Sequence, residues 1–205
     1  MKHLPNLLTA ARLVLSLFVF FALVVAGRVS GLDQGVLFGL ERWAFAAFAI
    51  AAVTDFFDGW LARRYGVVSV AGAILDPIAD KVLICAAILG LLALTASPAF
   101  LIPAGLILFR EFAVSALREV AAGRGVKLPV TLLAKWKTTF QLIALGAEMI
   151  VASWTAFALP ADEGVFRAAS LAALALVWLA CLVTLITGAQ YGAQAYRALA
   201  GQAPR

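Results

Sequence analysis

Six long apolar runs, joined by short links, constrain this chain more than any other feature of its sequence. A helix needs about 20 consecutive apolar residues to cross the hydrocarbon core of a bilayer. Of the 205 residues, 64% are hydrophobic and only 13% are charged. We therefore predict an all-α integral membrane protein with six transmembrane helices in a single domain, residues 1–205. The predicted spans are 7–26, 43–61, 74–95, 99–121, 136–157 and 165–189.

Lysine and arginine are concentrated near both termini and in the links between predicted helices 2 and 3 and helices 4 and 5. Cytoplasmic loops of membrane proteins carry such an excess. We therefore expect both termini and these two links on the cytoplasmic side of the cell (inner) membrane. The same bias accounts for the net charge of +5 without a nucleic-acid partner. The first run is long and has no clear small-residue cleavage site, so we expect a span rather than a cleaved signal peptide.

Four aspartates stand where predicted helices 2 and 3 meet their cytoplasmic link: Asp55, Asp58, Asp76 and Asp80. Spacings of three and four residues put each pair on one face of its helix. Facing carboxylates repel strongly at low dielectric unless some are protonated or cations lie between them. Because the ligands are all oxygen, the pattern favours Mg²⁺ or Mn²⁺, and four carboxylates suit two ions better than one. The single histidine and the two cysteines lie elsewhere.

Three other interpretations of the aspartates remain open at this stage. Asp76 precedes a proline and can serve as the N-cap of helix 3. The first two aspartates can form interfacial ion pairs with Arg63 and Arg64. Acidic residues in membrane spans also mark cation or proton transporters, which need a polar path across the whole bilayer. A transporter is disfavoured because the charges lie mainly on one side.

Residues near the aspartates are candidates for contact with a bound ligand. Two glycines beside them leave room for a ligand to approach the backbone, and an arginine one turn further can hold a phosphate. Three polar residues on one face of helix 1 are further candidates, although they also fit a plain interfacial helix start. These candidates are Gly59, Arg63, Gly72, Asn6, Thr9 and Arg12.

A second group of charges lies on predicted helices 4 and 5. Arg110 and Glu111 stand inside a span, where unpaired charge is costly. With neighbouring cations, Arg110 predicts a pocket for a phosphate dianion. Glu111 points about 100° away from Arg110, and the sequence leaves open whether it orients Arg110 or Lys81. The other cations can instead be simple positive-inside anchors. The pocket candidates are Arg110, Arg118, Lys135, Lys137 and Lys81.

The spacing around the aspartates resembles the signature of the CDP-alcohol phosphatidyltransferases at eight fixed positions. The matching pattern is Asp55-x2-Asp58-Gly59-x2-Ala62-Arg63-x8-Gly72-x3-Asp76-x3-Asp80. The resemblance implies a bundle of six transmembrane helices, a two-metal site on the cytoplasmic side, a CDP-linked lipid as donor and a homodimer. It also implies that all four aspartates bind metal, that Asp80 is the general base, and that Ala62 lies with the two glycines and Arg63 near cytidine.

Further blocks are similar to bacterial members of this family that use sn-glycerol 3-phosphate as acceptor. The blocks are LPNLLTAARLVL at 4–15, LDPIADKVL at 75–83, FREFAVSALREVAA at 109–122 and LAKWKTTFQLIAL at 133–145. This similarity implies transfer of the phosphatidyl group of CDP-diacylglycerol to the 1-hydroxyl of the acceptor, with release of CMP. The alternative is a member with another acceptor, such as phosphatidylglycerol in the cardiolipin synthases.

Overall fold

The computed structural model describes the backbone of residues 4–65, 70–126 and 132–200, and the side chains of 7–54, 75, 78–126 and 136–198. All regular structure in these residues is helical. The six helices are α1 Leu4–Arg28, α2 Gln34–Tyr65, α3 Val70–Thr95, α4 Pro98–Gly123, α5 Leu132–Ala152 and α6 Glu163–Ala200. Over the described residues, five of them (all but α5) are long and apolar enough to cross a membrane. The predicted all-α membrane fold with six helices is confirmed.

Helices α2 and α6 each begin beside an aspartate that accepts a hydrogen bond from a backbone N–H of the first turn. The observed start of α2 differs from the predicted one. The Asp33 carboxylate accepts a hydrogen bond from the backbone N–H of Gly35 at 2.8 Å, and α2 begins immediately afterwards. The prediction that this helix starts at residue 43 was therefore wrong, because the charged stretch before it is helical. Asp162 caps α6 in the same way, accepting from the N–H of Val165 at 2.9 Å. Each cap satisfies a backbone donor that has no partner within the helix.

The helix ends are set by residues that leave the helical conformation. After α4, Gly125 has a φ of +74°, and the N–H of Val126 bonds to the carbonyl of Ala121 at 2.9 Å. This is the bond pattern of a glycine-terminated helix. Helix α5 ends at Ala152, earlier than the predicted 157, and turns follow it. Helix α6 continues to Ala200, well beyond the predicted 189.

The contacts group the chain into two compact units, and the predicted single domain stays a prediction. The first unit comprises residues 1–97 and 145–173. In it, α1 packs on α2 and α3. A Cβ added at Gly27 of α1 would lie 2.5 Å from the Ala93 carbonyl oxygen and from Leu94 Cα of α3. Glycine is therefore needed there for the two backbones to approach, as is common between membrane helices.

The second unit comprises residues 98–144 and 174–205, so it contains α4, most of α5 and the longer part of α6. Its buried polar residues lie in the middle of otherwise apolar helices. Arg110 and Glu111 come from α4, and Lys137 and Gln141 come from α5. Polar side chains in a bilayer are stable only when they find partners inside the protein, so these helices must meet along their polar faces.

Candidate active site

The four aspartates of the signature lie on two helices, as the sequence predicts. Asp55 and Asp58 are in α2, and Asp76 and Asp80 are in α3. The structure describes only the last of these side chains. The other three predicted metal ligands lie outside the described side chains, and so do four predicted donor contacts. Those four contacts are Gly59, Ala62, Arg63 and Gly72.

Asp80 forms an ion pair with Arg12 of α1. The Arg12 Nη1 atom lies 2.9 Å from Asp80 Oδ1. The arginine side chain is 1% exposed, whereas the aspartate side chain is 41% exposed. A buried guanidinium requires an anionic partner, and α3 supplies it. The carboxylate itself is partly exposed to solvent.

The predicted polar face of α1 is buried in the first unit. Thr9 and Arg12 are each 1% exposed, and Ser16 is fully buried and donates to the Arg12 carbonyl at 2.7 Å. These residues recur every three or four positions, so they share one side of the helix. The side chain of Asn6, the third polar residue predicted for this face, lies outside the described residues. The sequence analysis placed Thr9 and Arg12 on one face, as observed, but it did not include Ser16 and did not predict Asp80 as the partner of Arg12.

Asp80 is the one signature aspartate whose side chain the structure describes. Asp80 offers a carboxylate that is partly exposed, and carboxylate oxygens are the ligands that Mg²⁺ and Mn²⁺ prefer. Within the described side chains, no group of three or more histidine, cysteine, aspartate or glutamate residues is close enough to hold a metal ion. The predicted two-ion site thus depends on three side chains outside the described residues and stays a prediction.

The second unit contains a buried network centred on Glu111. Its Oε1 atom accepts hydrogen bonds from Arg110 Nη1 at 3.1 Å, from Lys137 Nζ and from Gln141 Nε2 at 3.3 Å. All four residues, taken whole, are at most 8% exposed. One carboxylate therefore accepts hydrogen bonds from two cations and one amide. Of the two partners that the sequence left open for Glu111, the structure supports Arg110.

Helix α6 completes this network with residues that the sequence analysis missed. Arg110 Nη2 donates to Thr187 Oγ1 at 2.9 Å, and Gln141 Nε2 donates to Thr184 Oγ1 at 2.8 Å. Both threonines are fully buried. The only sequence signal is their spacing of three residues, which places both hydroxyls on one face of an apolar helix. That spacing is too common in membrane helices to identify a site.

The remaining predicted cations lie in different surroundings. Arg118 is exposed, and its guanidinium carbon lies 5.6 Å from the ring centre of Tyr191 on α6. This is within the range of a cation–π contact. Lys81 is half-buried on α3 in the first unit. The side chain of Lys135 lies outside the described residues. Of the five predicted acceptor contacts, the described residues place only Arg110 and Lys137 in one cluster.

Comparison with known proteins matches this chain to one family model and to several relatives with related names. The family model described as CDP-alcohol phosphatidyltransferase matches residues 2–186. A CDP-diacylglycerol–glycerol-3-phosphate 3-phosphatidyltransferase of Cereibacter sphaeroides is 35% identical over 92% of this chain and 93% of its own length. A protein of the same name from Bacillus subtilis is 34% identical over 97% of this chain and 98% of its own length. A probable phosphatidylglycerophosphate synthase of Mycobacterium tuberculosis is 38% identical, covering 97% and 84% of the two chains.

Proposed function

This chain belongs to the CDP-alcohol phosphatidyltransferase family, and we propose that it transfers the phosphatidyl group of CDP-diacylglycerol to the 1-hydroxyl of sn-glycerol 3-phosphate. The products are phosphatidylglycerol phosphate and CMP. The observation that carries this proposal is similarity over nearly the whole chain to relatives whose names specify that acceptor. The protein is a multi-pass membrane enzyme. Its active site and both termini are assigned to the cytoplasmic side of the inner membrane because lysine and arginine concentrate there.

Asp55, Asp58, Asp76 and Asp80 would hold two Mg²⁺ or Mn²⁺ ions. Such ions, when bound, neutralise the charge of a pyrophosphate and of the oxygens that attack and leave during phosphoryl transfer. The donor would lie against the signature residues and the polar face of α1. Arg12 supports this assignment because its guanidinium can serve the pyrophosphate as well as the Asp80 carboxylate, and charge-assisted bonds from arginine to phosphate are strong.

Asp80 is proposed as the general base. Its carboxylate is 41% exposed and has Arg12 as a counter-ion, so the acceptor can reach it. Asp80 takes the proton of the 1-hydroxyl while that oxygen bonds to the phosphorus that carries diacylglycerol. The bond from this phosphorus to the CMP oxygen breaks, and CMP leaves with the electron pair. A base positioned in this way typically contributes a factor of about 10² to 10⁴ in rate.

The acceptor's phosphate is assigned to Arg110 and Lys137, with Arg118, Lys135 and Lys81 as further proposed contacts. The support is electrostatic: two buried cations meet at one carboxylate in the second unit. A cluster rich in cations suits an acceptor that carries a phosphate dianion better than it suits serine or choline, which carry no phosphate. The proposed homodimer rests on the family resemblance alone.

The test is an acceptor survey with the purified protein in mixed micelles. CDP-diacylglycerol is offered with glycerol 3-phosphate, glycerol, phosphatidylglycerol, inositol phosphate and serine in turn, and CMP release is measured. We expect release with glycerol 3-phosphate and little with unphosphorylated glycerol. Release with phosphatidylglycerol alone would instead identify a cardiolipin synthase. Absence of CMP release with every acceptor, together with ion flux in reconstituted vesicles, would favour a transporter and overturn the proposal.

A further inference from the structure

Helix α6 holds Arg110 in a close-fitting position. A Cβ added at Gly188 would lie 2.8 Å from Arg110 Cγ and 3.1 Å from Arg110 Nε. The side chain of Arg110 therefore lies directly against the helix backbone at this point, in space that any larger residue would fill. One turn further along, a Cβ added at Gly192 would meet no atom within 4 Å. The close contact is thus specific to Gly188.

The Thr187 hydroxyl is oriented as an acceptor for Arg110. Its Oγ1 atom donates to backbone carbonyls of the preceding turn, with Val183 and Thr184 oxygens each at 2.9 Å. A hydroxyl has one proton and two acceptor lone pairs. With that proton given to the backbone, the oxygen can only accept from Arg110 Nη2, which lies 2.9 Å away.

Two partners fix the guanidinium, and its Nε–H is among the donors that are left over. Glu111 binds Nη1 and Thr187 binds Nη2. The Nε atom is buried and has no hydrogen-bond partner within the described part of the chain. A buried donor without a partner costs free energy, and a bound ligand is one source of the missing acceptor. An oxyanion matches a guanidinium donor in charge and geometry.

From these contacts we infer that Thr187 and Gly188 are positioning residues for acceptor binding. They hold the Arg110 guanidinium in the orientation in which it would bind a phosphate oxygen of the acceptor. Thr187 acts through a hydrogen bond, and Gly188 acts through the absence of a side chain. This inference rests on the proposed function, since it concerns how the acceptor's phosphate is held. Neither residue is assigned contact with the reacting atoms.

The experiment compares two pairs of variants in steady-state assays of CMP release. Thr187→Val removes the hydroxyl at nearly constant shape, and Thr187→Ser keeps it. Gly188→Ala adds a methyl group against Arg110, and Gly192→Ala adds the same group where space is open. We expect Thr187→Val and Gly188→Ala to raise the KM for glycerol 3-phosphate about tenfold or more, equivalent to about 1.4 kcal/mol of binding free energy. The KM for CDP-diacylglycerol and kcat at saturating acceptor should change less than about twofold, because the remote phosphate contact serves acceptor binding.

The control variants decide between positioning and general damage. Thr187→Ser and Gly192→Ala should keep the acceptor KM within about threefold of wild type, since each retains the feature that matters. A second readout avoids turnover: inorganic phosphate, without CDP-diacylglycerol, should raise the melting temperature of wild type and Thr187→Ser but not of Thr187→Val.

The results that would refute the proposed function differ from those that would refute the positioning inference. If wild type releases no CMP with glycerol 3-phosphate, the proposed function fails. If wild type is active but Thr187→Val keeps the wild-type acceptor KM, the positioning inference fails while the function stands. Equal increases in both substrate KM values, or a Thr187→Ser variant as impaired as Thr187→Val, would also overturn the inference, because a general packing defect would then explain the loss.

Discussion

Replacing Glu111 by glutamine tests the buried network directly. The Glu111 Oε1 atom accepts from three donors, and two of them, Arg110 and Lys137, are cations that are 8% and 7% exposed. Glutamine has the same shape but no charge. The variant therefore leaves two buried cations with no carboxylate among the described contacts of this cluster. We expect a marked loss of stability without a change in the size of the core.

The magnitude follows from the burial of the three charges. Removing one partner of a buried ion pair typically costs about 3–5 kcal/mol. The amide oxygen of glutamine can still accept from one or two of the donors. We therefore expect a loss of stability at the lower end of this range, about 3 kcal/mol. In a chain of this size, each kcal/mol lowers the melting temperature by about 2–4 °C, which gives a fall of about 6–12 °C.

The assay is thermal unfolding of the detergent-solubilised protein, with a matched control on the protein surface. Glu163 pairs with Arg167 on α6, but these side chains are 76% and 73% exposed. Exposed pairs of this kind contribute little, so Glu163→Gln should change the melting temperature by no more than about 1 °C. The third variant combines Glu111→Gln with Lys137→Met, which removes a cation together with its carboxylate.

The double variant, Glu111→Gln with Lys137→Met, tests whether the ion pair is the source of the stability. Since Lys137 is unfavourable once the carboxylate is gone, the combined loss should be smaller than the sum of the two single losses, by about 1–3 kcal/mol. If the single losses simply add, the ion pair is not the source of the stability. A Glu111→Gln variant that melts within about 2 °C of wild type would refute the argument at its first step.

Three further predictions concern the first unit and the metal. Asp80→Asn should lower kcat at least about 10²-fold while CDP-diacylglycerol still binds, as measured by CMP release and equilibrium binding; normal turnover would contradict the base role. EDTA should abolish CMP release, and added Mg²⁺ or Mn²⁺ should restore it; full activity in EDTA would exclude a metal requirement. Gly27→Ala should destabilise the protein by about 1–3 kcal/mol, because its Cβ would lie 2.5 Å from backbone atoms of α3. Gly39→Ala, whose Cβ meets nothing within 4 Å, is its control and should not lower the melting temperature.

The six helices were predictable from the sequence because apolar runs long enough to cross a bilayer rarely form any other structure. The first and last residues of each helix were harder to predict. The stretch before residue 43 contains Glu41 and Arg42 and has the composition of a loop, yet it is helical in the structure. Glu41 is only 8% exposed. Its burial depends on segments that pack against α2, and the pattern of the local sequence does not reveal that packing.

In the candidate site, too, the sequence predicts which residues share a helix face but not which residues they contact. Spacing correctly grouped Thr9 with Arg12 on one face of α1, because helical periodicity is local. The angle between two neighbouring side chains on a helix was a poorer guide to whether they contact each other. Arg110 and Glu111 point about 100° apart on an ideal helix, yet their long side chains bring Nη1 within 3.1 Å of Oε1. Thr187 and Gly188 were missed because their roles arise only from contact with α4.

Asp80 and Glu111 differ in solvent access, and this difference separates their proposed roles. The Asp80 side chain is 41% exposed and is paired with Arg12 in the described contacts, as the proposed general base requires. Glu111 is 10% exposed, and its Oε1 atom accepts from three donors. A carboxylate engaged in this way is poorly placed to accept a proton from substrate. Asp80→Asn should therefore reduce turnover at saturating substrates, whereas Glu111→Gln should lower the melting temperature and leave kcat at saturating acceptor nearly unchanged. The contrast concerns kcat alone, since each variant removes the carboxylate partner of a buried cation, and a Glu111→Gln variant whose kcat falls as far as that of Asp80→Asn would contradict it.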